Sequence, residues 1–203
     1  MEGVAEMSPF LGFLEQADKD LTLALNSLNS PVTDAVWQFF SHVQIWYVMY
    51  LIIIAFFFIR LGWKKGLIVT AACILFVLAC DQSANLIKNS VQRLRPLEDA
   101  DMIARGLHIL EKPGGLYGFY SGHAANSIGF AMCSSLGFRN DKRHGYKLYT
   151  ALIFTWAVLV GLSRIFVGKH FAGDVLAGFL AGIILGWLFG WLGQKACSLV
   201  TKG

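Results

Sequence analysis

The sequence predicts an all-α integral membrane fold, a bundle of about five transmembrane helices preceded by an interfacial amphipathic helix. Composition is the first reason: hydrophobic residues make up 56% of the 203 and charged residues 15%, where a soluble domain carries roughly 25% charge. The second is the presence of apolar runs at 36–59, 66–88, 121–138, 148–166 and 171–194, each close to the roughly 20 residues that cross a bilayer. The third is charge placement, with basic residues gathered in alternate linkers. The net charge of +4 is small and spread along the chain, so no nucleic-acid partner is implied.

Residues 1–34 are acidic, with Glu2, Glu6, Glu15, Asp18, Asp20 and Asp34 against a single Lys19. Phe10, Leu11, Phe13, Leu14, Leu21, Leu23, Leu25 and Leu28 interrupt them at helical spacing. The stretch is too polar to span, and an amphipathic surface helix ending near Asn29-Ser30-Pro31 is expected. No basic start is followed by an apolar core, so a cleavable signal peptide is not expected. The chain then divides into this N-terminal helix, 1–34, and a transmembrane domain, 35–203.

The linker after the first run holds Arg60, Lys64 and Lys65, and that after the third holds Arg139, Lys142, Arg143 and Lys147. Lys195 and Lys202 follow the fifth. Lys and Arg concentrate on the cytoplasmic side, so the N-terminus is expected outside and the C-terminus in the cytoplasm. Trp63, Trp187 and Trp191 fall near the cytoplasmic ends, as interfacial aromatics do. Cys73, Cys80, Cys133 and Cys197 lie in or beside apolar runs without a metal-type pair, and read as packing residues. Gly178, Gly182, Gly186 and Gly190 recur every four residues in register with His170 and Asp174. Small residues at that interval admit a neighbouring helix, so one stripe is expected to carry chemistry at its outer end and a bundle contact below.

This topology puts the 89–120 loop and the 167–170 bridge on the same, non-cytoplasmic side. Three polar clusters fall there. Lys88-x6-Arg95-Pro96 would stack two cations on one face if the second span ran on as helix to Arg95. Tyr120-Ser121-Gly122-His123 opens the third span, making a helix N-terminus suited to an anion. Ser163-Arg164 is followed by His170 and Asp174, spaced four apart so that a carboxylate can orient an imidazole, with Arg164 able to fork onto a phosphate.

In this order the three clusters resemble the signature of the type 2 phosphatidic acid phosphatase family, whose site is similar to that of vanadium-dependent haloperoxidases. All but one of the usual motif residues are present; Tyr120 stands where the family usually has Pro. The resemblance implies a metal-independent lipid phosphatase without a cofactor. Lys88, Arg95, Ser121, Gly122 and Arg164 would bind phosphate, and His170 would attack phosphorus. Asp174 would orient His170, and His123 would act as acid and then base. Asp81 and Asn85 precede Lys88 in the second span, and an ionised carboxylate there is costly in lipid. Asp81 is expected in the bundle interior, either as partner of an active-site cation or as a structural hydrogen bond to a neighbouring helix.

A site at headgroup height beside lipid suits phosphatidate, phosphatidylglycerol phosphate, a polyprenyl diphosphate or a lipid A phosphate, and the motifs do not separate these. The loop 97–119 is expected to border the headgroup, with Glu98, Asp99 and Asp101 repelling an anionic lipid and Arg105, His108 and Lys112 attracting one. The compact size suggests a bacterial inner membrane with the site facing the periplasm. A lipid phosphotransferase sharing the phosphohistidine intermediate stays open, as does a non-catalytic membrane scaffold; a haloperoxidase does not fit, those relatives being soluble.

Overall fold

The computed structural model describes residues 9–112 and 114–200. Residues 1–8 of the expected N-terminal helix, Pro113 and Lys202 lie outside them. Within them the chain forms α1 (Pro9–Asn26), α2 (Pro31–Ser41), α3 (Tyr47–Val91), α4 (Ala100–Ala104), α5 (Gly122–Phe138), α6 (Lys147–Phe166) and α7 (Ala172–Val200), with short 3-10 turns at Val43–Trp46 and Pro96–Glu98. Among the described residues, three stretches are long and apolar enough to cross a membrane: Val43–Val91, Lys147–Phe166 and Ala172–Val200.

The first of these is bent double. Gly62 takes φ 77° and ψ 169° inside α3, a left-handed conformation open to a residue without Cβ. The chain then returns along itself: Gly66 lies against Phe58, and Tyr47, Tyr50 and Ile54 face Cys73, Val77 and Asp81 across a groove. The runs 36–59 and 66–88 thus correspond to two antiparallel legs. The earlier of them starts later than its hydropathy indicates. Ser30 caps α2 by accepting from the Thr33 N–H, and Pro31 begins that helix. α2 stops at Ser41 because His42 is extended, and Ser41 is drawn to the polar end of α6 instead. Trp37 of α2 stacks on Phe166 of α6 with centroids 4.1 Å apart.

α5 is the axis of the bundle, buried along nearly all of its 17 residues and packed by α3, α6 and α7. It is short and rich in Ala, Ser and Gly because protein, not lipid, surrounds it. Two of its hydroxyls bond to neighbouring helix residues: Ser127 donates to Ala157 O and Ser134 accepts from Tyr149. The glycine stripe of α7 meets it directly. A Cβ on Gly182 would stand 2.2 Å from Ala125 O, and one on Gly186 2.3 Å from Gly129 O, so the two main chains touch. Around this seam the outer faces are apolar and open, as at Leu51, Ile59, Leu152, Leu180 and Trp187, the inverse of a soluble domain. All four cysteines are buried, with the Cys73 and Cys133 sulfurs 3.6 Å apart.

The three basic regions gather at one end of the bundle. Arg60 Nη1 lies 3.4 Å from His144 Nε2, and Cys197 Sγ 3.9 Å from Lys65 O. The opposite end holds the C-termini of α3 and α6 and the N-termini of α5 and α7.

Gly186→Val is expected to destabilise the detergent-solubilised protein by about 1–3 kcal/mol, as overpacking does, read as a lower melting temperature. An unchanged melting temperature would mean that α5 and α7 do not pack through this seam.

Candidate active site

The second span does not continue as helix to Arg95. α3 ends at Val91, Gln92 takes the left-handed conformation at φ 53°, and Arg93–Arg95 run extended. Two constraints impose this: Pro96 disfavours helix at the residue before it, and the stretch pairs with the 116–118 segment. Gly118 N donates to Arg93 O at 2.8 Å and Arg95 N to Leu116 O at 3.1 Å. Lys88 and Arg95 still reach one pocket, but by a turn and a paired strand-like stretch rather than by one helix face. The pairing folds the Gly114–Gly118 segment over the pocket. A Cβ on Gly118 would be 3.0 Å from Asp174 Oδ2 and 3.5 Å from His170 Nδ1.

The other predicted residues converge there. Ser121 is the N-cap of α5, accepting from Ala124 N, and its own N–H donates to Asp174 O at 3.0 Å. The Lys88 amine lies beside Gly122, 3.7 Å from where a Cβ would be. His123, one residue further, is within electrostatic range of Arg164, His170, Lys88 and Lys169. Arg164, in the last turn of α6, is buried. The first-turn N–H groups of α5 have no partner within the helix and point where these cations gather.

His170 and Asp174 keep their sequence relation. Asp174 is fully buried and sits in the first turn of α7; its Oδ2 accepts from Phe171 N at 3.1 Å and lies 3.5 Å from His170 Nδ1. Burial pushes the His170 pKa down to about 4; Asp174 pulls the other way and loses, with Arg164 and Arg95 adding to the fall. The imidazole is therefore neutral at pH 7. The carboxylate beside Nδ1 favours a proton there, leaving the Nε2 lone pair free.

Several residues of this site escaped the sequence reading. Arg93 bridges two carboxylates, with Nη1 2.8 Å from Asp174 Oδ1 and Nη2 2.7 Å from Asp18 Oδ2, and lies over the Phe171 ring. Asp18, Thr22 and Asn26 form a polar stripe on α1. Phe171 has no side chain with which to cap α7, so α1 does it: Thr22 Oγ1 accepts from Ala172 N and Asp18 Oδ1 from Gly173 N. Asn26 donates to the carbonyls of His108, Ile165 and Phe166 and accepts from His108 N. Their four-residue spacing was the available signal. Ser41, Glu111 and Lys169 also enter the pocket; burial, with Arg164 and Arg95 nearby, lowers the Lys169 pKa against the pull of Glu111.

Two expectations are corrected. Four of the six charges named in the 97–119 loop do not stand free to meet a headgroup. Asp99 and Asp101 pair with Lys19, Arg105 with Asp20 and His108 with Asp34, because α1 and α2 lie alongside. Asp81 is not in the bundle interior but exposed on the groove between the legs of α3, where it accepts from Asn126 Nδ2 at 2.6 Å. That is a helix–helix hydrogen bond. Asn85 is exposed as well.

Known proteins carry the same architecture. The model of the PAP2 superfamily matches residues 65–196. The chain is 34% identical to a lipid A 4′-phosphatase of Porphyromonas gingivalis over 82% of its own length and 68% of that protein. It is 27% identical to phosphatidylglycerophosphatase B of Bacillus subtilis over 82% and 78%. Among solved structures, the PAP2-type phosphatidylglycerolphosphate phosphatase of Bacillus subtilis aligns with a TM-score of 0.71 at 22% identity, covering 90% of this chain and 87% of that one. Aquifex aeolicus LpxE aligns at 0.60 and 22%, covering 87% and 93%. The class is an integral bacterial membrane enzyme that hydrolyses phosphoric esters. The chain belongs to the PAP2 superfamily.

A depressed His170 pKa couples stability to pH. Between about 6.5, the unfolded value, and about 4, the unfolded chain binds a proton that the folded chain refuses, so stability falls as pH falls. The melting temperature in detergent is expected to drop across this window, and His170→Asn to flatten part of the drop. An equally steep fall in the variant would contradict a neutral buried His170.

Proposed function

We propose that this enzyme removes a phosphate monoester from a membrane lipid at the non-cytoplasmic face, through a phosphohistidine on His170. The observation that carries the reading is the convergence of Lys88, Arg95, Arg164 and the α5 N-terminus around a neutral His170 whose Nδ1 lies 3.5 Å from Asp174. Phosphoryl transfer needs positioning and charge neutralisation more than covalent power, and these cations supply charge that a metal ion supplies elsewhere.

In the first step His170 Nε2 attacks phosphorus as the P–O bond to the lipid breaks, and protonated His123 gives its proton to the departing alkoxide. In the second, His123 takes a proton from water, whose oxygen attacks phosphorus; the N–P bond breaks and inorganic phosphate leaves. Asp174 stabilises the positive ring formed between the steps. Lys88, Arg95, Arg164, Ser121 and the Gly122 N–H hold the phosphoryl oxygens.

The gathering of basic residues at the end remote from the site supports a cytoplasmic location for that end and a periplasmic one for the site. Two legs of α3 with α5, α6 and α7 then make five crossings, and α1 lies at the outer interface. A groove of about 430 Å³ between the legs of α3 supports a lipid substrate. It shares Val43, Tyr50 and Asn126 with a smaller cavity lined by His123 and Ser41, so an acyl chain in the membrane has a path to the pocket. The higher identity to proteins named for the lipid A 4′-phosphate (34% and 33%, against 27% for phosphatidylglycerophosphatase B) favours a lipid A type substrate.

The purified protein is expected to release inorganic phosphate from lipid A phosphate faster than from phosphatidylglycerol phosphate, phosphatidate or a polyprenyl diphosphate. His170→Ala should lower turnover more than about 10³-fold, with membrane insertion unchanged. EDTA should leave the rate unaltered. Near-normal activity in His170→Ala would sink the assignment, and transfer of labelled phosphate to a second lipid would make the enzyme a phosphotransferase.

A further inference from the structure

One edge of the Arg164 guanidinium is occupied by the protein itself. Nη1 donates to Ser41 Oγ and lies 3.5 Å from Glu111 Oε2. That same oxygen lies 3.5 Å from Lys169 Nζ, and Ser41 donates to Glu111 Oε1. Three groups of the pocket therefore hold one internal carboxylate. Arg164 Nε is buried with no hydrogen-bond partner among the described residues. Neither Lys88 nor Arg95 forms an ion pair among the described residues, whereas Arg164 and Lys169 both meet Glu111. Burial would raise the Glu111 pKa, but Arg164, Ser41 and Lys169 together hold it below the usual carboxylate range, so it is ionised at neutral pH.

We infer that Glu111 is a specificity-determining residue, an internal anion that competes with the substrate's phosphate for Arg164 and Lys169. The inference rests on the reading of Arg164 as a phosphate ligand. A carboxylate brings one negative charge, whereas a phosphomonoester approaches two and offers three terminal oxygens. Exchange therefore favours the monoester. A phosphodiester headgroup, with a single charge, gains little by displacing Glu111. Ordinary phosphodiester lipids surround the protein at the same height as its substrate, and Glu111 keeps them from occupying the pocket.

The test measures phosphate release from a lipid phosphomonoester by the purified full chain, inhibited by inorganic phosphate or by phosphatidylglycerol. A site closed by its own carboxylate binds ligands more weakly in proportion to the closed fraction. Glu111→Gln is expected to lower both inhibition constants, that for phosphatidylglycerol by about tenfold. Glu111→Asp keeps the charge but shortens the arm, and should move both in the same direction. A shift in Glu111→Gln alone would mean a through-space field effect and overturn the inference. Weaker inhibition with a lower kcat would show that Glu111 only braces Arg164, and would overturn it too. If the Glu111 variants do not fold, Ser41→Ala keeps every charge while removing the hydroxyl that holds the carboxylate; it should tighten phosphatidylglycerol inhibition, and unchanged constants overturn the proposal. Absence of phosphate release by the wild-type protein sinks the functional reading as well, whereas normal release with unshifted variants sinks this inference alone.

Discussion

The buried carboxylate of Asp174 is the constraint on which the rest of the structure depends. A charge removed from water is tolerated only when paired and hydrogen-bonded, and meeting that demand assembles the site. Arg93 is brought over from the segment after α3, the Phe171 N–H turns inward, and Arg93 in turn recruits Asp18 of α1. The Asp174 carbonyl meanwhile accepts from Ser121, tying the start of α5 to the start of α7. Four parts of the chain, far apart in sequence, are registered by one residue.

Below that point the α5–α7 seam does the positioning. Gly178 is placed so that a Cβ would meet Ser121 O at 2.6 Å, and the contacts continue down through Gly182 and Gly186. Close approach of two main chains aligns the two helix N-termini, so the dipole of α5 and the His170–Asp174 pair face one space. The His170–Asp174 pair stands at the head of the α7 face that packs on α5, and a shift of α7 would disturb both.

Charge is partitioned with the same economy. The acidic α1 and α2 pair with Asp99, Asp101, Arg105 and His108 of the 97–119 loop through Lys19, Asp20 and Asp34, leaving an electropositive pocket offset by Asp174 and Glu111. The result is a pocket with surplus positive charge that encloses a neutral imidazole.

By itself the sequence determined the helical membrane class, the polarity of the bundle, the glycine seam and the motif residues of the pocket. These follow from periodicity, from charge bias and from residues spaced along single helices, all of which are local. It also put Lys88, Ser121, His123, Arg164, His170 and Asp174 at one end, which is where the structure gathers them. Only the tertiary structure decided that α3 folds back at Gly62, that Arg95 arrives by an extended stretch, and that Asp81 bonds to Asn126 on an open groove. The roles of Arg93, Asp18, Thr22, Ser41, Glu111 and Lys169 were likewise invisible. Each depends on a partner more than 40 positions away, and the need to neutralise a buried charge or to cap a helix in trans names a kind of partner without saying which part of the chain will supply it.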